Sequence, residues 1–122
     1  MNIKCGTDII EIDRIENAIN KNSNFLKTVF TDNEIEYCEA HKIQKYQHYA
    51  ARFAAKEATF KALSEKVQRK DLCWKSFEIV NSEDGKPQIN ISFEIEELQG
   101  IDISISHCKA YATATVIAEF RK

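Results

Sequence analysis

Glycine and proline are scarce in this chain of 122 residues, which contains three glycines and one proline. A flexible linker between domains is normally rich in such residues, so no linker is expected here. The chain length also leaves room for one hydrophobic core rather than two. We therefore expect residues 1–122 to form a single domain.

Long hydrophobic runs are also missing. The N-terminal segment is interrupted by Lys4, Asp8 and Glu11, which excludes the apolar core of a secretory signal. No other apolar run approaches the length that crosses a bilayer. These absences predict a protein with no membrane partner.

The few cysteines form no recognisable motif. They are far apart and contain no CxxC pair, so the sequence predicts neither a zinc site nor a redox pair. Isolated thiols are typical of a reducing compartment, and we expect a cytoplasmic protein with free cysteines. These residues are Cys5, Cys38, Cys73 and Cys108.

The chain also has no excess of positive charge, because it contains 17 Lys and Arg and 19 Asp and Glu, which give a net charge of -2. The chain therefore has no overall field for holding nucleic acid, and an anionic partner would have to meet local clusters. One cluster follows residue 60, and it is open to two interpretations, a solvated face or an anion site. Its members are Lys61, Lys66, Arg69 and Lys70.

The hydrophobic pattern predicts one strand followed by helices. Residues 3–12 alternate as a strand that is partly buried on both sides. Asp13 and Glu16 have the spacing of a cap and predict a short helix that ends near Asn20. Thr31 and Glu34 have the spacing of a capping box and predict a helix over about residues 32–42. The longest helix is predicted from about Gln44 to Glu65, where the sequence is rich in Ala, Glu and Lys.

Two hairpins are predicted after the long helix. The segments FEIVN and QINISF are joined by SEDGKP, which carries turn residues. Residues 101–106 alternate, and the sequence then turns at HCKA into YATATVIAEF. The order of elements predicts an α+β fold in which an antiparallel sheet packs against the long helix.

Asp8 and Glu57 are the first candidates for a functional site. Each lies in an otherwise apolar pattern, and a buried carboxylate needs a cation or strong donors. If the two meet, they form an oxygen-rich site suited to a divalent cation that takes its other ligands from water and phosphate. The alternatives are an ordinary pair of Glu57 with Lys61 on the helix surface and an aspartate bonded to nearby backbone amides.

Cations accompany Glu57 on the same helix, at Arg52, Lys56 and Lys61. Positive charge beside a metal-bound diphosphate stabilises phosphoryl or phosphodiester transfer. The alternative is a polar flank that gives solubility and helix propensity. His107 ends a predicted strand and either projects into a cleft or belongs to a turn.

Three motifs in this order resemble the holo-acyl-carrier-protein synthases, the small type of 4'-phosphopantetheinyl transferase. They are GTDIIEI at residues 6–12, RFAAKEATFKAL at residues 52–63 and ISISHCKAYATATVI at residues 103–117. The resemblance implies the fold of that family and an enzyme that moves the phosphopantetheine arm of coenzyme A onto a serine of an acyl carrier protein. The reaction releases adenosine 3',5'-bisphosphate and serves fatty acid biosynthesis.

The resemblance also implies roles for individual residues, and it implies Mg²⁺ as the cofactor. Asp8 and Glu57 would be the metal ligands, and Lys56 would assist proton transfer or phosphate binding. His107 would complete the catalytic group and contact the coenzyme. The remaining implied roles are phosphate binding by Arg52 and Lys61, and docking of the carrier protein by Arg14.

Members of this family are trimers with active sites between neighbouring subunits, so the resemblance implies that His107 serves a site with Asp8 and Glu57 of another copy. Two other functions stay open at this point. One is a non-catalytic module that binds coenzyme A or an acidic helix through its basic residues. The other is a metal-dependent phosphohydrolase that releases pantetheine phosphate to water.

Overall fold

The computed structural model describes residues 2–68, 70 and 72–122. Arg69, one of the four cations that follow residue 60, lies outside the described residues. The order of elements is strand, helices and four further strands, as the sequence predicted. The α+β architecture and the long helix against an antiparallel sheet are therefore confirmed.

In the part of the chain that the structure describes, four α-helices follow the first strand, which is β1 (Ile3–Glu11). They are α1 (Ile12–Lys21), α2 (Phe25–Val29), α3 (Asp32–Glu39) and α4 (Lys45–Leu63), with a 3₁₀ helix at Lys42–Gln44 between the last two. A further 3₁₀ helix at Trp74–Ser76 leads into the strands β2 (Phe77–Asn81), β3 (Pro87–Ile91), β4 (Leu98–His107) and β5 (Tyr111–Phe120). Both predicted hairpins are present.

Among the described residues, the five strands form two sheets rather than one. A three-stranded sheet has the order β1-β5-β4, and β2 and β3 form a separate two-stranded sheet. Hydrophobic alternation predicts where strands lie but not which edges pair, so the division was not visible in the sequence. All pairings are antiparallel, and they bring Asp8 opposite Ala114 and His107 opposite Ala112.

Helix α4 packs against the three-stranded sheet through small side chains on both surfaces. Six alanines of the helix are buried, and on the sheet Ala112, Ala114, Val116 and Ala118 are buried beneath them. Gly6 is where the two backbones meet, because a Cβ there would lie 2.0 Å from the carbonyl oxygen of Ala58. This close approach brings the end of β1 within reach of side chains on α4.

The opposite face of the three-stranded sheet is open to solvent. The sequence predicted partial burial on both sides of the first strand, but only the side that carries Gly6 and Ile10 is buried. On the other side Ile3 is 49% exposed and Ile9 is 64% exposed. Tyr111 and Ile117 of β5 are 45% and 49% exposed, and they add to an apolar surface that we call the open sheet face.

Two further predictions concern the setting of the protein. All four cysteines are free, as predicted. Within the described ranges, no helix combines the length and the apolar character needed to cross a membrane. The cytoplasmic location remains a prediction.

Candidate active site

Asp8 lies on the side of β1 that faces α4, two residues beyond the close contact at Gly6. Its side chain is 17% exposed, and Lys61 Nζ lies 3.2 Å from Asp8 Oδ1. The same ammonium donates to the carbonyl oxygen of Thr7 at 2.9 Å. The packing of β1 on α4 therefore joins two predicted site residues that are 53 positions apart in the sequence.

Glu57 precedes Lys61 by four positions, and residues with this spacing are neighbours on one side of a helix. Glu57 is half-buried. The carboxylate of Asp8 thus lies against the same edge of α4 that carries Glu57. This arrangement brings Asp8, Glu57 and Lys61 into one region, which we call the carboxylate edge.

The donor set at the carboxylate edge fits a magnesium ion that keeps most of its shell for water and phosphate. Over the described ranges, no group of three or more His, Cys, Asp or Glu side chains is arranged to hold a metal. The carboxylates available to a metal at this edge are those of Asp8 and Glu57. Magnesium in phosphate-binding sites is commonly held by one or two carboxylates plus substrate oxygens.

Arg52 and His107 meet in a cleft on another side of α4. The cleft has a volume of about 220 Å³ and is also lined by Tyr37, His48, Asn81 and Pro87. Arg52 is 4% exposed, stacks on the ring of Tyr37 at 4.0 Å and donates to Asn81 Oδ1 at 2.7 Å. Its Nε is buried and has no hydrogen-bond partner among the described residues.

The cleft is rich in groups that can bind an anion. His107 is exposed, and Gln47 Nε2 donates to His107 Nε2 at 3.0 Å. Burial and the neighbouring His41 lower the pKa of His48 to about 4, so that ring is neutral at pH 7. Arg52 is therefore a permanent positive charge in the cleft, and the ring of His48 supplies a neutral hydrogen-bonding group.

The carboxylate edge and the cleft are on different sides of α4 in one chain. Arg52 and Glu57 are five residues apart, which corresponds to about 140° around a helix of 3.6 residues per turn. The chain therefore brings together Asp8, Glu57 and Lys61 on one side and Arg52 and His107 on another.

Lys56 joins neither group, because its side chain points into the core and is fully buried. Its ammonium lies 2.8 Å from Glu34 Oε1 and donates to the carbonyl oxygens of Trp74 at 2.9 Å and Phe77 at 2.6 Å. Burial lowers the pKa of Lys56, and the carboxylate of Glu34 opposes that effect. Sequence reasoning missed this partner, because Glu34 was recognised only as part of the capping box.

Arg14 lies in the first turn of α1 and is exposed to solvent. It follows Asp8 by six positions, on the helix that comes directly after β1. An exposed guanidinium on a helix surface is available to an acidic partner. The location is thus compatible with the docking role that the resemblance implied.

Comparisons with known proteins identify the family. Residues 4–116 match the model of the 4'-phosphopantetheinyl transferase superfamily. The holo-[acyl-carrier-protein] synthase of Ruminiclostridium cellulolyticum is 47% identical over 124 aligned positions, which cover 96% of this chain and 92% of the relative. The holo-[acyl-carrier-protein] synthase of Protochlamydia amoebophila is 44% identical over 121 aligned positions, which cover 96% of this chain and 98% of the relative.

Solved structures agree with the sequence relatives. A holo-(acyl-carrier-protein) synthase from Bacillus anthracis in complex with CoA (3',5'-ADP) superposes with a TM-score of 0.82 at 34% identity, covering 97% of this chain and 96% of that one. The Helicobacter pylori holo-[acyl-carrier-protein] synthase in complex with coenzyme A has a TM-score of 0.81 at 32% identity, covering 94% and 99%. This chain therefore belongs to the holo-[acyl-carrier-protein] synthases, enzymes of the 4'-phosphopantetheinyl transferase superfamily.

Proposed function

We propose that this chain transfers the 4'-phosphopantetheine arm of coenzyme A to a serine hydroxyl of an acyl carrier protein and releases adenosine 3',5'-bisphosphate. Membership of the holo-[acyl-carrier-protein] synthases supports the class of reaction. The observation that carries the proposal is the contact of Asp8 with Lys61, on the edge of α4 that also bears Glu57. Two carboxylates beside a lysine suit a magnesium-bound diphosphate.

Asp8 and Glu57 would hold Mg²⁺ at the carboxylate edge. When bound, the ion would neutralise the diphosphate of the coenzyme and orient it for attack. Lys61 is 52% exposed along its side chain, so it can move from Asp8 to a phosphate oxygen without a large cost of desolvation. In this way the chain stabilises the negative charge that develops as the serine oxygen attacks phosphorus.

Arg52 and His107 are proposed to hold the nucleotide end of the coenzyme. The unpartnered Nε of Arg52 supplies a donor in a buried setting, where a hydrogen bond to an anion is stronger than in water. His107 is exposed at the mouth of the same cleft and can contact the coenzyme directly.

We further propose that a complete active site takes the carboxylate edge from one copy and the cleft from its neighbour in a homotrimer. The separation of the two groups around α4 supports this, because one chain cannot present both to a single diphosphate through the helix. The open sheet face supplies apolar area for contact between copies. A cyclic assembly would then repeat the same site at each seam.

The function is tested by mass analysis of an apo acyl carrier protein incubated with the enzyme, coenzyme A and Mg²⁺. Transfer adds the mass of the phosphopantetheine arm to the carrier, and omission of Mg²⁺ prevents the addition. A binding module would retain coenzyme A without changing the carrier. A phosphohydrolase would consume coenzyme A and leave the carrier at its original mass, and either result would contradict the proposal.

The role of Glu57 is tested in the same assay with Glu57→Gln. We expect transfer to fall by about two orders of magnitude or more, since several kcal/mol of metal-dependent charge stabilisation is lost. Circular dichroism should show an unchanged fold. The matched control is Glu36→Gln, which alters an exposed carboxylate on α3 and should leave transfer unchanged. Full activity in Glu57→Gln would remove this residue from the chemistry.

A further inference from the structure

Lys56 and Glu34 form an ion pair in the core of the protein. Both side chains are 0% exposed, and Lys56 Nζ lies 2.8 Å from Glu34 Oε1. A lysine ammonium has three N–H donors. The other two are taken by the carbonyl oxygens of Trp74 and Phe77, at 2.9 Å and 2.6 Å. No donor of Lys56 is left for a phosphate, although the neighbouring residue in sequence is Glu57.

Glu34 uses both of its oxygens in the same place. Its Oε1 accepts from the backbone N–H of Thr31 at 2.9 Å, which is half of the capping box of α3. Its Oε2 accepts from the backbone N–H of Ile79 in β2 at 2.8 Å. One carboxylate therefore joins the start of α3, the middle of α4 and the middle of β2.

The ion pair also fixes one wall of the cleft. Lys56 bonds to Phe77 at the start of β2, and Arg52, one helical turn earlier, bonds to Asn81 at the end of β2. Asn81 in turn donates from Nδ2 to the carbonyl oxygen of Gly85 at 2.9 Å, in the turn of the hairpin. Asn81 and Gly85 line the cleft with Arg52. Arg52 and Lys56 of α4 thus both donate hydrogen bonds to β2 and hold the hairpin against the helix.

We propose that Lys56 and Glu34 are positioning residues, which act as one unit to fix the β2–β3 hairpin against α4 and so shape the coenzyme cleft. Lys56 neither binds phosphate nor takes part in proton transfer. The inference rests on the proposed function in one respect, the binding of coenzyme A in the cleft of Arg52 and His107. It departs from the role that the family resemblance implied for Lys56.

Three variants test this assignment: Lys56→Met, Glu34→Gln, and the two combined. Methionine keeps the length of the lysine side chain but removes its charge, which leaves Glu34 buried without a counter-ion. We expect Lys56→Met to raise the KM for coenzyme A about tenfold or more, with kcat at saturating coenzyme A changed by less than about threefold. The double variant should recover part of the affinity, because no uncompensated charge remains. Full recovery is not expected, because the hydrogen bonds of Lys56 to Trp74 and Phe77 are still lost.

A role in chemistry predicts a different pattern. A general acid or base contributes about 10²–10⁴-fold to the rate, and removing Glu34 as well cannot restore it. A kcat that falls by about 10² or more in Lys56→Met, with no recovery in the double variant, would overturn the proposal. The control Lys4→Met removes the lysine of a partly exposed pair with Glu65 and should leave KM and kcat unchanged.

Coenzyme A titration by calorimetry provides a readout that does not need turnover. If Lys56→Met does not fold, the proposal is tested with Glu34→Gln alone. This variant should bind coenzyme A more weakly and keep its kcat. Unaltered binding of coenzyme A would overturn the proposal. If the native enzyme adds no mass to any carrier, the proposed function fails. The titrations of native and variant protein would still measure whether the ion pair shapes the cleft.

Discussion

His48 shows at the scale of one residue how burial changes a side chain of the cleft. Its ring lies 3.9 Å from the ring of His41 and 5.5 Å from that of Tyr37, between centroids. Burial is the largest cause of its lowered pKa, followed by the charges of His41, Arg52 and His107. Protonation of this ring would place a second positive charge near Arg52 in a partly desolvated setting.

The lowered pKa of His48 has a predicted effect on stability. Between pH 6.5 and about pH 4 the unfolded chain binds more protons at this residue than the folded chain does, so stability falls as the pH falls through that range. Over this pH interval, we expect the free energy of unfolding to fall by about 1–2 kcal/mol more in the native protein than in His48→Gln, after allowance for solvent screening. Urea unfolding at several pH values measures the difference, and equal slopes for both proteins would contradict the prediction.

Arg14 carries the prediction for the carrier protein. We expect Arg14→Ala to raise the KM for the carrier about fivefold to tenfold while kcat and the KM for coenzyme A stay unchanged, because an exposed charge acts mainly on encounter and docking. Steady-state kinetics with varied carrier measures this. The control Lys122→Ala removes an exposed charge outside α1. An unaltered KM for the carrier in Arg14→Ala would count against docking at α1.

The contact of β1 with α4 sets the carboxylate edge at the scale of elements. A Cβ on Gly6 would lie 2.0 Å from Ala58 O and 2.7 Å from Ala62 N, and both are backbone atoms that cannot rotate away. We expect Gly6→Ala to lower the free energy of unfolding by about 1–3 kcal/mol and to reduce transfer, since Asp8 lies two residues further along the strand. Gly100→Ala is the control, because its Cβ would meet nothing within 4 Å. Equal stability of the two variants would contradict this account.

Local signals predicted the elements well, and α3 is a clear example. Thr31 and Glu34 lie three residues apart, and the structure contains both hydrogen bonds of their capping box. The start of α1 was predicted less well, because Asp13 lies inside the helix and the N-cap is Glu11. The N–H of Ile12 instead donates to the carbonyl oxygen of Ala110 at 2.9 Å, a tertiary contact that no local pattern reveals.

The candidate site residues also divide into those that local motifs reveal and those that depend on tertiary packing. The motifs singled out Asp8, Glu57 and Lys61 as candidates, and packing brings Asp8 against the edge of α4 that carries the other two. Their roles stay predictions. The partner of Lys56 was missed, because Glu34 is 22 residues away in sequence and its ion pair depends on how α3 packs on α4. The cleft depends on the hairpin turn reaching Arg52, which is also set by tertiary packing.

The open sheet face is the main feature at the scale of the whole molecule. We expect Ile9→Glu to dissociate the proposed trimer, because a charge in an apolar interface costs several kcal/mol. Sedimentation velocity measures the mass, and transfer activity should fall with it. The control Ile43→Glu changes an isoleucine that is 96% exposed and lies on the 3₁₀ helix Lys42–Gln44. A native mass in Ile9→Glu would show that this face is not the contact.

The central claim is that one active site unites the carboxylate edge of one copy with the cleft of another. The most direct test mixes equal amounts of Glu57→Gln and His107→Ala subunits after denaturation and refolding together. Each variant alone should be nearly inactive, and random reassembly should restore about a quarter of native activity, because about one seam in four receives both intact groups. A mixture no more active than its parents would contradict the account.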